Sequence, residues 1–155
     1  MAEAWRLDGK LALITGASKG LGAAIAHEFA ALGARLVLVS RGPEALQQTI
    51  FEIKQATPGC VIEALTADVA SETGRDRIVE HIRGKGALQI LINNAGTNIR
   101  KSMAEISAEE YLFVQATNTT ASFELCRRLL PFLQAGAPAC VVNNASYSML
   151  HDSLK

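Results

Sequence analysis

The chain has 155 residues, of which 49% are apolar and 19% are charged, and its formal net charge is +0. This composition is typical of a single globular domain covering residues 1–155 and excludes intrinsic disorder. The chain lacks the basic excess of nucleic-acid-binding proteins and the run of about 20 apolar residues that a membrane span needs, so neither partner is expected.

Cysteine and histidine usage argues against disulfide and metal chemistry. Cys60, Cys126 and Cys140 are odd in number and lie in apolar stretches, so each is expected to pack as a small apolar side chain in a reducing compartment. No histidine lies at ligand spacing from a cysteine or carboxylate, and no metal site is predicted. Residues 1–6 contain no apolar segment typical of a signal peptide, so a cytoplasmic location is expected.

Five short apolar runs are predicted to be strands. They are rich in Leu, Ile and Val without alternation, as in strands buried on both faces of a parallel sheet. The runs span residues 11–15, 35–39, 60–65, 88–92 and 139–143.

Amphipathic segments between these runs predict four helices. The first is expected to end at Gly33, and its buried face is predicted to be Leu21, Ile25, Phe29 and Leu32. Pro43 is predicted to begin the second helix and Ser71 to cap the third. Ser107 and Glu110 form a capping box for a long fourth helix that is expected to end near Pro131. One side of that helix is predicted to be Leu112, Ala116, Thr119 and Phe123.

Alternation of strands and helices predicts an α/β fold. Right-handed crossovers place helices on both faces of a parallel sheet, which gives three layers, α/β/α. The expected architecture is a Rossmann-type doubly wound sheet with five strands in the order 3-2-1-4-5.

A glycine-rich turn follows the first strand. Residues 15–22 read Thr-Gly-Ala-Ser-Lys-Gly-Leu-Gly and precede the first helix, where a doubly wound sheet holds a pyrophosphate. Gly16 permits a tight turn, Gly20 allows phosphates to approach the backbone, and Gly22 allows close helix packing. The residues predicted to bind a dinucleotide here are Gly16, Ser18, Lys19, Gly20, Leu21 and Gly22.

The end of the second strand predicts which dinucleotide is bound. An acidic residue there would bind the ribose 2′-hydroxyl, whereas a basic residue suits a 2′-phosphate. The chain has Ser40 followed by Arg41, whose guanidinium fits a phosphate, and Lys19 supplies a second positive charge. NADP(H) is therefore the predicted cofactor, the alternative being that both cations are simply solvated.

Together with Asn93-Asn94-Ala95-Gly96 after the fourth strand, this turn resembles the TGxxxGxG and NNAG motifs of the short-chain dehydrogenase/reductase family. The segment Trp5–Lys10 is similar to tropinone-reductase-like and gluconate-dehydrogenase-like members. The resemblance implies NADP(H)-dependent interconversion of a carbonyl and an alcohol on a small-molecule substrate, and a homo-oligomer (dimer or tetramer) formed through the helix 107–131.

The resemblance also implies roles for individual residues. Asp68, followed by Val69, would contact the adenine ring, or would instead only favour the start of the next helix. Asn94, Ala95 and Gly96 would line the cofactor pocket, while Asn93 could be purely structural. Two residues would be catalytic. Asn118 would support proton delivery, unless it is only an exposed polar residue, and Ser146 would hydrogen-bond the substrate oxygen, unless it only forms a turn. Asn144 departs from the family pattern, which has an apolar residue there.

The family's general acid is missing from this sequence. A Tyr-x-x-x-Lys pair would supply the proton, with the lysine lowering the tyrosine pKa, but Tyr147 comes too early and is followed four residues later by His151. The chain is therefore expected to be the N-terminal portion of a longer domain. The alternative is a natural short product, a non-catalytic NADP(H)-binding or interaction module, whose fifth strand would be poorly covered. The sequence does not identify the substrate.

Overall fold

The computed structural model describes residues 5–102 and 104–145. Five parallel strands form one sheet in the order β3-β2-β1-β4-β5, which confirms the predicted fold and strand order. The strands are β1 (Leu11–Thr15), β2 (Arg35–Ser40), β3 (Ile62–Thr66), β4 (Ile90–Asn93) and β5 (Cys140–Asn143). β3 and β4 begin two residues later than predicted, where pairing with β2 and β1 begins.

Helices cover both faces of the sheet. They are α1 (Gly20–Ala31), α2 (Pro43–Ala56), α3 (Glu72–Arg83), α4 (Ala108–Gln115) and α5 (Ala121–Ala135). The predicted caps are present: Ser71 accepts a hydrogen bond from the Gly74 amide, and Ser107 and Glu110 form the capping box. Each cap satisfies backbone amides that have no partner within the helix.

Two apolar cores separate the three layers. One packs α1 and α2 against side chains such as Ile14, Leu36 and Leu38. The other packs α3 and α5 against the opposite face, where Leu13 and Leu91 are fully buried. Because both faces are covered, strands β1 and β2 are apolar at nearly every position.

The predicted buried face of α1 is wrong. Its buried residues are Gly22, Ala26 and Ala30, whereas Leu21 is 56% exposed. Ile25 and Phe29 are only partly buried at the edge of the core. The helix lies so close to the sheet that only small side chains fit between them, so the larger residues are displaced to its flanks.

The long fourth helix also differs from the prediction. A π-helical turn, Ala116–Thr120, separates α4 from α5 and changes which residues face the core. Leu112 and Phe123, two of the residues predicted to share one side of the helix, are 62% and 63% exposed. The buried residues are instead Val114, Thr117, Ala121, Leu125, Leu129 and Leu133.

Nor does α5 end at Pro131, because it continues to Ala135. A proline inside a helix removes one hydrogen bond, that to the carbonyl four residues earlier. Pro131 and Arg127 are both exposed, so water can satisfy that carbonyl.

Several apolar residues lie on the surface of the described part of the chain. β5 is exposed along its length, with Val141 and Val142 each more than 40% exposed. Leu112, Phe123 and Leu130 are exposed on α4 and α5. Among the helices of residues 5–102 and 104–145, none has the length and apolar character needed to cross a bilayer.

Candidate functional site

A cleft of about 360 Å³ lies where the carboxyl ends of β1, β2, β3 and β4 meet. The sheet order reverses between β1 and β4, and ligands of doubly wound folds bind at such a point. Residues at the end of each strand or directly after it form the wall of the cleft, together with Thr117 from the π-helical turn. They are Gly16, Ser18, Lys19, Gly20, Val39, Ser40, Arg41, Ala67, Asp68, Val69, Asn94, Ala95, Gly96 and Thr117.

The glycine-rich turn forms one wall of this cleft. Gly16 and Gly20 have positive φ values of 66° and 57°, and a Cβ built on Gly20 meets no atom within 4 Å. A Cβ on Gly22 would collide with the Gly16 carbonyl oxygen. The Lys19 side chain does not cap α1, so no side chain at the N-cap competes for the first backbone amides of the helix. The turn therefore leaves open space beside donors suited to a phosphate.

A second cation lines the same cleft. Arg41 follows β2 and lines the cleft, as Lys19 does, and neither forms a salt bridge within the described residues. Ser40 accepts a hydrogen bond from the Gly42 amide (3.3 Å), which orders the turn after the strand. No carboxylate lies at the end of β2, so this part of the cleft favours an anion.

Asp68 and Val69 lie in the same cleft, after β3. The Asp68 carboxylate accepts a hydrogen bond from the Ala70 amide (2.9 Å), as in a turn before a helix. Arg75 on α3 donates to the carbonyls of Val69 (2.8 Å) and Ala70 (2.9 Å). The Asp68 loop is therefore ordered by its own helix, and it contributes Asp68 and Val69 to the wall of the cleft.

Thr15, which was not among the predicted site residues, joins β1 to the residues after β4. Its buried hydroxyl oxygen accepts hydrogen bonds from the amides of Asn94 and Ala95 (3.0 Å each). The Asn94 side chain returns two bonds, to the carbonyls of Thr15 and Gly16 (3.2 Å each). Mutual bonding fixes the glycine-rich turn against Asn94.

Thr49 on α2 holds the same turn from the other side. Its side chain is 5% exposed, and its hydroxyl lies 3.0 Å from the Ser18 carbonyl oxygen and 3.1 Å from the Ala45 carbonyl oxygen. A polar residue on an otherwise apolar helix face, beside Leu46, Ile50 and Ile53, was the sequence signal that could have revealed it.

A second cavity, of about 480 Å³, shares the wall formed by Asn94, Ala95 and Gly96. Asn118 reaches it from the π-helical turn. Its Oδ1 accepts from the Thr97 amide (2.8 Å), and its Nδ2 donates to the Thr97 carbonyl (2.9 Å). Asn118 is exposed, and both polar atoms of its side chain bond to the segment after Gly96. The other candidate catalytic residue, Ser146, lies outside the described residues.

Two pairs of amide side chains connect β4 and β5. Asn93 donates to Asn143 Oδ1 (2.8 Å), and Asn144 donates to Asn94 Oδ1 (3.0 Å). Asn144 is exposed, so its departure from the family pattern does not bury an unpaired amide. The pairs fix the end of β5 beside the second cavity.

The structure brings together most of the residues predicted to bind the cofactor. Leu21 and Gly22 are the exceptions, because Leu21 faces solvent and Gly22 is buried under the turn. Val39, Ala67 and Thr117 line the cleft and were missed. In residues 5–102 and 104–145, no group of three His, Cys, Asp or Glu side chains could hold a metal ion.

Comparison with known proteins gives matches along nearly the whole chain. A family model described as short chain dehydrogenase matches residues 10–153. The chain is 37% identical over 150 residues to a tropinone reductase homologue of Arabidopsis thaliana, covering 95% of this chain and 55% of that protein. It is 36% identical over 144 residues to a tropinone reductase homologue of Datura stramonium, covering 92% and 53%.

Among solved structures, L-sorbose reductase from Gluconobacter frateurii, complexed with NADPH and L-sorbose, has a TM-score of 0.79 and 36% identity. The match covers 84% of this chain and 50% of that one. The chain thus spans about half the length of the curated relatives it matches. The family predicted from the motifs, and the likeness to tropinone reductases, are confirmed. With its glycine-rich turn, its strand order and a family match across nearly its whole length, the chain belongs to the short-chain dehydrogenase family.

Proposed function

We propose that this chain forms the NADP(H)-binding part of an oxidoreductase that interconverts a carbonyl and an alcohol. The observation that carries the proposal is the pair of cations, Lys19 and Arg41, lining one cleft with the glycine-rich turn. A dinucleotide with an additional phosphate would find two positive charges there and no acid at the end of β2. The complex of L-sorbose reductase with NADPH supports the same cofactor.

The residues present fit this cofactor. Gly20 leaves space that any side chain would fill, next to the unoccupied amides at the start of α1. Lys19 and Arg41 would bind the 2′-phosphate of the dinucleotide. Asp68 and Val69 would contact its adenine side. Asn94, Ala95 and Gly96 would contact the middle of the dinucleotide. When bound, the cofactor supplies or accepts the hydride.

The chain's own polar groups would act on the substrate side. Asn118 holds the Thr97 backbone through two hydrogen bonds and so shapes the wall of the second cavity. We propose that Ser146, which follows β5 in the sequence, orients the substrate oxygen by a hydrogen bond.

Activity is tested on the protein purified from its native source. Carbonyl-dependent oxidation of NADPH is followed by absorbance. The proposal predicts turnover that depends on NADPH. Cofactor binding without turnover would instead favour the alternative, a non-catalytic NADP(H)-binding or interaction module.

A further inference from the structure

The second cavity has a wall of side-chain amides and hydroxyls. In the part of the chain that the structure describes, no charged side chain lines it. Its polar side chains come from the segment after β4, from α4 and the π-helical turn, and from the end of β5. They include Asn94, Asn98, Gln115, Asn118, Thr119 and Asn144.

These side chains divide into two groups. Asn94 and Asn118 already bond to backbone groups of the glycine-rich turn and of Thr97. Within the described residues, the side chains of Asn98, Gln115 and Thr119 make no hydrogen bond, and Asn144 uses only its Nδ2. The first group builds the wall, and the second group can bind a ligand.

An amide offers both donors and acceptors, and a threonine hydroxyl does the same. A hydroxyl group on a ligand is likewise both donor and acceptor, so several neighbouring hydroxyls match Asn98, Gln115 and Thr119. An apolar ketone would leave these groups without partners, which costs affinity. A carboxylate ligand would need a cation, and none lines this wall among the described residues.

We propose that the second cavity binds a neutral, polyhydroxylated carbonyl compound, or the corresponding polyol, through Asn98, Gln115 and Thr119. This inference rests on the proposed function, because it names the substrate class for the same site. The carbonyl end would lie toward Gly96 and the main cleft, and the remaining hydroxyls would face the amides.

The test is a binding experiment on the whole chain, with and without saturating NADPH. Fructose, cyclohexanone and pyruvate are titrated separately, and binding is detected by saturation-transfer NMR on the small molecule. Fructose is expected to bind most tightly of the three. Asn98→Leu and Gln115→Leu should each weaken fructose binding roughly 3- to 10-fold, as expected for one lost hydrogen bond. Gln134→Leu, which removes an exposed amide on α5 outside the cavity, is the matched control and should change nothing.

The outcomes separate this inference from the proposed function. Failure of NADPH to bind would contradict the proposed function, while fructose binding that is lost in the two leucine variants would still support the inference. Tighter binding of cyclohexanone or pyruvate would overturn the inference. So would absence of fructose binding, or fructose binding that neither variant weakens, even if NADPH binds as proposed.

Discussion

Arg41 lies one residue beyond β2, where a single side chain can select between two cofactors. Arg41→Asp removes a guanidinium suited to the 2′-phosphate and adds a carboxylate suited to the ribose hydroxyl. NADPH affinity should fall roughly 10- to 100-fold, the range for a hydrogen bond to a charged group, and NADH affinity should rise. Fluorescence titration with both cofactors measures the ratio. Arg77→Asp on α3 makes the same charge change outside the cleft and is the control. An unchanged ratio would remove Arg41 from the cofactor site.

Two glycines of the turn should respond differently to alanine. Gly22→Ala places a Cβ against the Gly16 carbonyl, so the turn must shift, and the free energy of unfolding should fall by about 1–3 kcal/mol. Gly20→Ala meets no neighbour within 4 Å, so only its φ of 57° is strained, at about 1–2 kcal/mol.

Denaturant unfolding and NADPH titration distinguish these effects. Gly20→Ala should lose more NADPH affinity than its modest loss of stability explains, because its Cβ fills the space proposed for phosphate. Equal NADPH affinity in Gly20→Ala and the unmodified chain would argue against that placement.

At the scale of elements, α2 and the glycine-rich turn are joined by Thr49. Thr49→Val keeps the shape of the side chain but removes the donor to the Ser18 carbonyl. The turn should loosen, and NADPH affinity should fall roughly 3- to 10-fold, as for one neutral hydrogen bond. Thr57→Val, at the far end of the same helix, is the control in the same calorimetric titration. Equal losses in both variants would mean that the effect is general destabilisation of α2.

An ion pair joins the edge strand β3 to the residues after α3. Lys85 donates to both oxygens of Glu63 (2.7 Å each), and this hydrogen bonding lowers the pKa of Glu63 from its ordinary value of 4.5, against the opposing effect of burial. His81 lies 2.9 Å from the same carboxylate. Because the folded-state pKa is the lower one, the ionised carboxylate stabilises the fold above pH 4.5, and this stabilisation is lost as the pH falls through the folded-state value.

Glu63→Gln should therefore reduce the free energy of unfolding near neutral pH by up to ~1 kcal/mol, since the pair is partly solvated. The difference from the unmodified chain should shrink as the pH falls from 4.5 through the lowered folded-state pKa of Glu63, because the carboxylate then becomes protonated in the folded state as well as in the unfolded one. Urea unfolding at neutral pH and at a series of lower pH values measures it, and Glu52→Gln on the exposed side of α2 is the control. A difference that stays the same at every pH would assign the effect to packing.

Prediction from the sequence succeeded for elements that local signals define. Caps at Ser71 and Ser107 and the apolar strands mark their own positions, and the alternation of elements gives the layers. The face of α1 could not be predicted, because close approach to the sheet selects Ala26 and Ala30 over larger apolar residues. The π-helical turn was also missed, since one inserted residue alters which side of α4 and α5 is buried without any local signal.

At the scale of the whole molecule, the cleft followed from the topology. Residues after strand ends converge there, so Gly16 and Arg41 could be chosen from the sequence pattern, while Asp68 and Asn94 were implied by the resemblance to the family. Thr15 and Thr49 could not, because their hydrogen bonds join segments that are distant in the sequence. The predicted homo-oligomer and the cytoplasmic location stay predictions.

The cleft between the glycine-rich turn and the end of β2 is proposed to bind NADP(H). Calorimetric titration of the unmodified chain with NADPH, and separately with NADH, tests this proposal. We expect one site per chain and at least about tenfold tighter binding of NADPH, because Lys19 and Arg41 would bind the additional phosphate. Absence of binding, or tighter binding of NADH, would contradict it.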